Sequence, residues 1–165
     1  METATCIAIS AGFKDRKQQI FTIRDVENHS HLDDLLTEFE KRTKTLLMID
    51  GGAIDMIMSD PDVEKRFFAA ATLAPSVCVC RCSPTQKALI TSKISQVTGK
   101  RTCAVGDGGN DVGMILKANV GVGIVGKEGM QASLASDFSI DEFKKLRRLI
   151  MWHGRLSYKR SAVLS

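Results

Sequence analysis

Residues 101–116 read RTCAVGDGGNDVGMIL, an apolar run that stops at a glycine-rich turn and resumes about three residues later as a helical pattern. A strand that hands over to a helix through such a turn is the corner of a βα unit, and parallel sheets collect their ligands at these strand ends. Two carboxylates flank the turn, Asp107 at the strand tip and Asp111 in the first helical turn. At about 4 Å and an effective dielectric near 20 their repulsion costs roughly 4 kcal/mol, which a bound dication removes. One or two carboxylates, with water and phosphate completing the shell, suit Mg²⁺. Gly108 and Gly109 let the backbone approach a phosphate, while Asn110 and the free amides of the helix start can donate to its oxygens. The plainer reading of the same residues is a turn with N-capping aspartates.

The rest of the chain supplies the sheet that such a corner needs. A helix is predicted over 1–12, with Ala4, Ile7, Ala8 and Ala11 on one face, then a β-rich run over 19–26. Leu32, Leu35, Leu36 and Phe39 repeat at helical spacing within 31–44, and 45–50 reads as a strand that Gly51 and Gly52 break. A helix is predicted next over 61–73 with Pro61 in its first turn, then a strand over 76–82, a helix over 84–97, a strand over 102–106, a helix over 110–117 and a strand over 120–125. This βαβα alternation predicts an α/β fold with a mostly parallel sheet flanked by helices. The first helix starts without a preceding cap and the last, basic one stops without an end signal, so both ends read as cuts.

Upstream of the glycine turn, residues 81–88 read RCSPTQKA, a strand exit with Pro84 at a helix start and Lys87 in its first turns. A lysine at that place can offset charge on a phosphoryl group by fixed electrostatics rather than proton transfer. Together the lysine segment and the GDGGND loop resemble the third and fourth motifs of the haloacid dehalogenase superfamily. GDGGNDVGMI, GVGIVGKEGMQAS and HGRLSYKR, in that order, further resemble the phosphorylation domain of phospholipid-transporting P-type ATPases, the lipid flippases. METATCIAISAGF is similar to the residues just after that family's TGDK motif.

The resemblance covers most of the chain, is weakest over 18–44, and carries expectations with it. It implies that Asp107 and Asp111 bind Mg²⁺, that Arg81, Lys87, Asn110 and Asp111 line the ATP phosphate site, and that Lys87, Asp107 and Asp111 act in catalysis. It implies a haloacid dehalogenase-like (HAD-like) Rossmannoid domain over 1–143 and a basic stalk helix over 144–165 leading toward a transmembrane helix. The expected partners are ATP, phospholipid through a membrane domain, and the remaining domains of the same ATPase, with no nucleic acid. The expected location is the cytosolic face of a membrane protein, in Golgi, endosomal or plasma membrane. Gly109 and Gly113 depart from the alanine and serine found in many flippases. Neither DKTGT, whose aspartate accepts the phosphoryl group in that family, nor TGD occurs in these residues. The strands that carry them belong in the middle of the sheet, so a gap or an exposed apolar edge is expected.

Other features have competing readings. LLMIDGGAID places Asp50 like the nucleophile of a freestanding phosphatase, yet Gly52 stands where such enzymes use a second acid. A non-catalytic interaction module is the remaining alternative. GVGIVG matches a dinucleotide fingerprint without a convincing acid at the end of a second strand. Cys78, Cys80 and Cys82 alternate along one strand and read as packed thiols rather than a zinc site, and His29 and His31 as surface residues. Five cysteines, an odd number, favour reduced thiols. The net charge of +4 gathers near the end, where residues 144–160 contain no acid but include Trp152 and Tyr158. A nucleic-acid patch, a membrane-surface helix and a solvated face compete there with the stalk.

Overall fold

The computed structural model describes residues 2–14, 18–42, 44–126 and 130–164. Met1, residues 15–17, Thr43, residues 127–129 within the GVGIVGKEGMQAS segment, and Ser165 lie outside the described residues. The chain forms two compact units, 1–100 and 101–165.

The first unit contains helix α1 (Glu2–Ser10), strand β1 (Ile20–Ile23), helix α2 (His29–Glu40) and strand β2 (Leu46–Asp50). Helices α3 (Gly51–Ser59) and α4 (Pro61–Ala71), strand β3 (Ser76–Cys80) and helix α5 (Pro84–Thr98) complete it. The three strands are parallel in the order β1-β2-β3. β2 is the central strand, and its continuous apolar run is explained by burial on both faces. Leu47 and Ile49 join Phe21 and Ile23 in a core with Leu32, Leu36 and Phe39 of α2, Ile54 and Ile57 of α3, and Phe67 and Phe68 of α4. Leu46 and Met48 point to the opposite face, where Ala8 of α1, Cys78 and Cys80 pack on them. The thiols of Cys78 and Cys80 thus fill space as small apolar groups do.

As expected, β2 ends where Gly51 and Gly52 follow it. The sequence did not predict that these glycines also open a helix, α3, which forms because Asp50 accepts from the amide of Ala53 at 2.8 Å and caps it. The strand expected over 76–82 ends at Cys80, because Arg81 turns to a left-handed φ of +54° and takes Cys82 out of the alternation.

The second unit is built on strands β4 (Cys103–Gly106), β5 (Val120–Ile124) and β6 (Phe138–Ile140), parallel in that order. A 3₁₀ turn (Gly109–Asp111) and helix α6 (Val112–Lys117) come after β4, and helix α7 (Gln131–Ala135) precedes β6. Ala104, Ile115 and Ala132 form its core. The C-terminal stretch runs from helix α8 (Leu146–Arg148) through a π-helical segment (Leu149–Gly154) into helix α9 (Arg155–Leu164).

Among the described residues β3 pairs only with β2, and β4 only with β5. Each is therefore an open sheet edge, and Val77 on β3 is 40% exposed.

Candidate functional site

The glycine loop holds its two aspartates differently. β4 ends at Gly106, Gly108 is extended, and the 3₁₀ turn brings Asp111 back beneath the strand end. Asp111 is buried, and its Oδ2 accepts from the amide of Asp107 at 3.3 Å. A Cβ on Gly106 would stand 2.3 Å from Cβ of Asp111, so the carboxylate packs where only a glycine leaves room. Asp107 and Asn110 are exposed, and Gly126 passes beside Asp107. The loop thus offers one solvent-facing carboxylate, one carboxylate fixed by the backbone and one exposed amide side chain. Among the described residues no third His, Cys, Asp or Glu joins them in a cluster. All the charged donors are oxygens, which fits a hard cation whose remaining positions go to water and phosphate.

The other two expected site residues lie in the first unit, at the carboxyl end of β3. Arg81 lines a cavity of about 500 Å³ with Arg24, Asp25, Asp50 and Cys80. Asp25, like Arg81, has a positive φ, +49°. Lys87 is half-buried in the first turns of α5, which Ser83 and Gln86 open with a reciprocal capping box. Burial pushes the Cys82 thiol above its ordinary range, while the Lys87 ammonium pulls it down and the Asp55 carboxylate pushes it up. Both charges therefore act at the mouth of the β3–α5 loop. Asp107, Asn110 and Asp111 are brought together in one loop, and Arg81 and Lys87 flank another.

A family profile described as "Phospholipid-translocating P-type ATPase C-terminal" matches residues 133–165. The chain is 49% identical over 164 residues, 99% of its length, to the "Probable phospholipid-transporting ATPase IIB" of Homo sapiens. It is 48% identical over 165 residues, its whole length, to the "Phospholipid-transporting ATPase NEO1" of Saccharomyces cerevisiae. With the "Phospholipid-transporting ATPase 6" of Arabidopsis thaliana it shares 53% identity over 116 residues, 70% of the chain. The chain belongs to the phospholipid-transporting P-type ATPase family. It spans 14% of the length of the human and yeast relatives and 9% of the Arabidopsis one.

Within this family member the competing features find structural work. Asp50, weighed as a nucleophile, accepts from the amide of Ala53 through Oδ1 and from the amide of Asp25 at 3.4 Å through Oδ2, so both carboxylate oxygens are engaged by backbone N–H groups. Two of the three glycines of GVGIVG are packing glycines: a Cβ on Gly121 would meet Ile115 of α6 at 2.6 Å, and one on Gly123 would meet the backbone of Ser133 in α7 at 2.4 Å. In the C-terminal stretch Ile150, Met151, Trp152, Leu156 and Tyr158 are exposed. Among the described residues no helix is long and apolar enough to cross a membrane.

Sequence reading missed Gln86 and took Gly51 only as a strand breaker, not as the residue that lies against Arg81 and Gln86. Gln86 is a buried polar residue that joins the β3–α5 loop to the β2–α3 turn. The S-x-x-Q spacing of Ser83 and Gln86 was the available signal, a capping box read straight from the sequence.

Proposed function

We propose that this chain is the part of an ATP-driven phospholipid transporter that holds Mg²⁺ and the phosphates of ATP. The observation that carries the reading is the β4–α6 loop, where Gly106 lets a buried Asp111 fold back on Asp107 inside a family of phospholipid-transporting ATPases. Asp107 and Asp111 hold the metal, and Arg81, Lys87 and Asn110 meet the phosphates. When bound, Mg²⁺ neutralises charge on the transferred phosphoryl group. The chain's own residues orient the loop amides toward the phosphates, keep the Asp111 carboxylate buried against its turn and supply fixed positive charge from Lys87.

In this reading residues 1–143 are the C-terminal part of a HAD-like phosphorylation domain, and 144–165 are a basic stalk leading toward the membrane. The phosphoryl group is carried by an aspartate outside these residues, since DKTGT is absent from the sequence. The parent moves phospholipid between leaflets and presents this part to the cytosol.

The test is a Mg²⁺ titration monitored by NMR. Shifts concentrated at 106–111, weak in affinity and lost in Asp107→Asn and Asp111→Asn, support the reading, and their absence sinks it. Incubation with radioactive ATP should leave no acid-stable label on this chain. Retained hydrolysis of a generic phosphate ester, abolished by Asp50→Ala, would instead favour the phosphatase alternative.

A further inference from the structure

One buried side chain fastens the loop between β3 and α5 to the turn between β2 and α3. Gln86 is 7% exposed, and its amide is used from both ends. Oε1 accepts from the amide of Ser83 at 2.8 Å. Nε2 donates to the carbonyl of Gly51 at 2.8 Å and to Oδ1 of Asp55 at 2.6 Å. The capping box accounts for the first bond only, because the other two reach a different helix.

Gly51 completes the clasp by having no side chain. A Cβ there would lie 2.6 Å from the carbonyl oxygen of Arg81 and 3.1 Å from Oε1 of Gln86. Arg81 itself holds a φ of +54°, a left-handed conformation that side chains with a Cβ seldom adopt. Such a conformation persists where its surroundings over-determine it, and such places cluster at ligand sites. The surroundings here are the Gly51 backbone pressed against the Arg81 carbonyl, and Ser83 tied to Gly51 through Gln86. Arg81 stands at one end of the clasped segment and lines the cavity shared with Asp50, while Lys87 comes directly after Gln86 at the other end.

We infer that Gln86 is a positioning residue for phosphate recognition: its amide, closed on Gly51, fixes the segment whose two ends present Arg81 and Lys87 to a polyphosphate. This rests on the phosphate-site reading above and adds to it a device that sets the geometry of the two cations. Gln86 itself touches no phosphate and acts through the backbone it holds.

The test uses this chain and inorganic triphosphate, with the side-chain ¹⁵N signals of Arg81 and Lys87 monitored by NMR and thermal unfolding measured in parallel. Gln86→Met removes the amide at similar volume, and Gly51→Ala opens the clasp from the opposite side. Each should weaken triphosphate binding by about threefold to tenfold, the factor carried by a hydrogen bond's net worth. The double variant should weaken binding by less than the two single effects combined, because both act on the Gly51–Gln86 contact, although Gly51→Ala also meets the Arg81 carbonyl. Mg²⁺-induced shifts at 106–111 should keep their original affinity. If Gln86→Met fails to fold, Gln86→Asn, one methylene shorter, is the gentler route. Folded variants that melt earlier yet bind triphosphate as the unaltered chain does would overturn the inference alone. No response of Arg81 and Lys87 in the unaltered chain would overturn the phosphate-site reading and the inference together.

Discussion

Gly106 and Asp111 occupy one another's space: a methyl group on the glycine would stand 2.3 Å from Cβ of the aspartate and 2.8 Å from its Cγ. The Asp111 side chain is buried and cannot swing away at its Cβ without moving the 3₁₀ turn. Gly106→Ala should therefore destabilise the chain by about 1–3 kcal/mol, the range for overpacking, and push the carboxylate off the Asp107 amide. Thermal unfolding measures the first effect and a Mg²⁺ titration the second. Asp111→Asn keeps the shape and an acceptor oxygen, so it should lose the Mg²⁺ response while melting near the unaltered chain.

Arg66 ties α4 to α2. Its guanidinium bonds Asp33, meets Glu40 at 3.1 Å and reaches Thr37 at 3.3 Å. Hydrogen bonds donated to Glu40, then to Asp33, push its pKa further up, so the arginine stays charged throughout the accessible range. The group is 40% exposed, and water screens the pairs. Arg66→Met should cost no more than about 1 kcal/mol in denaturant unfolding at low salt, and the difference should shrink at high salt. A loss that ignores ionic strength would mean that the aliphatic stem, not the charge, holds the helices.

The sheet was legible because its signals were local and strong. The run over 46–49 is apolar at every position, as a strand buried on both faces is, and the glycines after it set its length. The βα corner at 103–112 was legible because glycine spacing and flanking acids point to one geometry. α3 was not legible, since two glycines at its start argue against a helix until Asp50 is seen to cap it and Gly51 to lie against Arg81. α7 and β6, five and three residues long, are held by tertiary packing on Gly123 rather than by any periodicity of their own. Lys87 could be set on a helix from Pro84, but the Gln86 bonds that hold its loop join residues 31 and 35 positions apart. No window of sequence contains both ends of such a contact.

Partly buried thiols give the stability a slope on the alkaline side. Burial pushes the thiols of Cys78 and Cys82 above the ordinary cysteine value, with Cys80 adding to the effect at Cys78. In the unfolded chain they deprotonate first as the pH rises, so the unfolded state binds fewer protons and stability falls. Unfolding free energy should thus be flat in these groups through neutral pH and decline above about 9, the ordinary thiol value. Replacing Cys78 and Cys82 together by alanine should flatten that decline in denaturant unfolding measured across the pH range. A decline of unchanged slope would assign it to other groups.

Two glycines near α7 should respond very unequally to the same methyl group. At Gly109 a Cβ would come within 2.0 Å of Oε1 of Gln131 and 3.2 Å of its Cδ, both near the tip of an exposed side chain that can rotate away. Gly109→Ala should cost less than about 0.5 kcal/mol, as exposed substitutions do, and leave Mg²⁺ binding intact. At Gly123 the methyl would meet Cα of Ser133 at 2.4 Å and the Ala132 carbonyl oxygen at 2.7 Å, and these are backbone atoms of α7. Backbone cannot rotate aside, so the helix must lift from β5 and uncover Ala132, which is fully buried. Gly123→Ala should cost about 2 kcal/mol or more and loosen β6, the next element after α7 in the chain. Hydrogen exchange at 120–124 and 138–140, compared between the two variants, separates the cases. Equal protection in both would mean that α7 is not held by the close approach at Gly123.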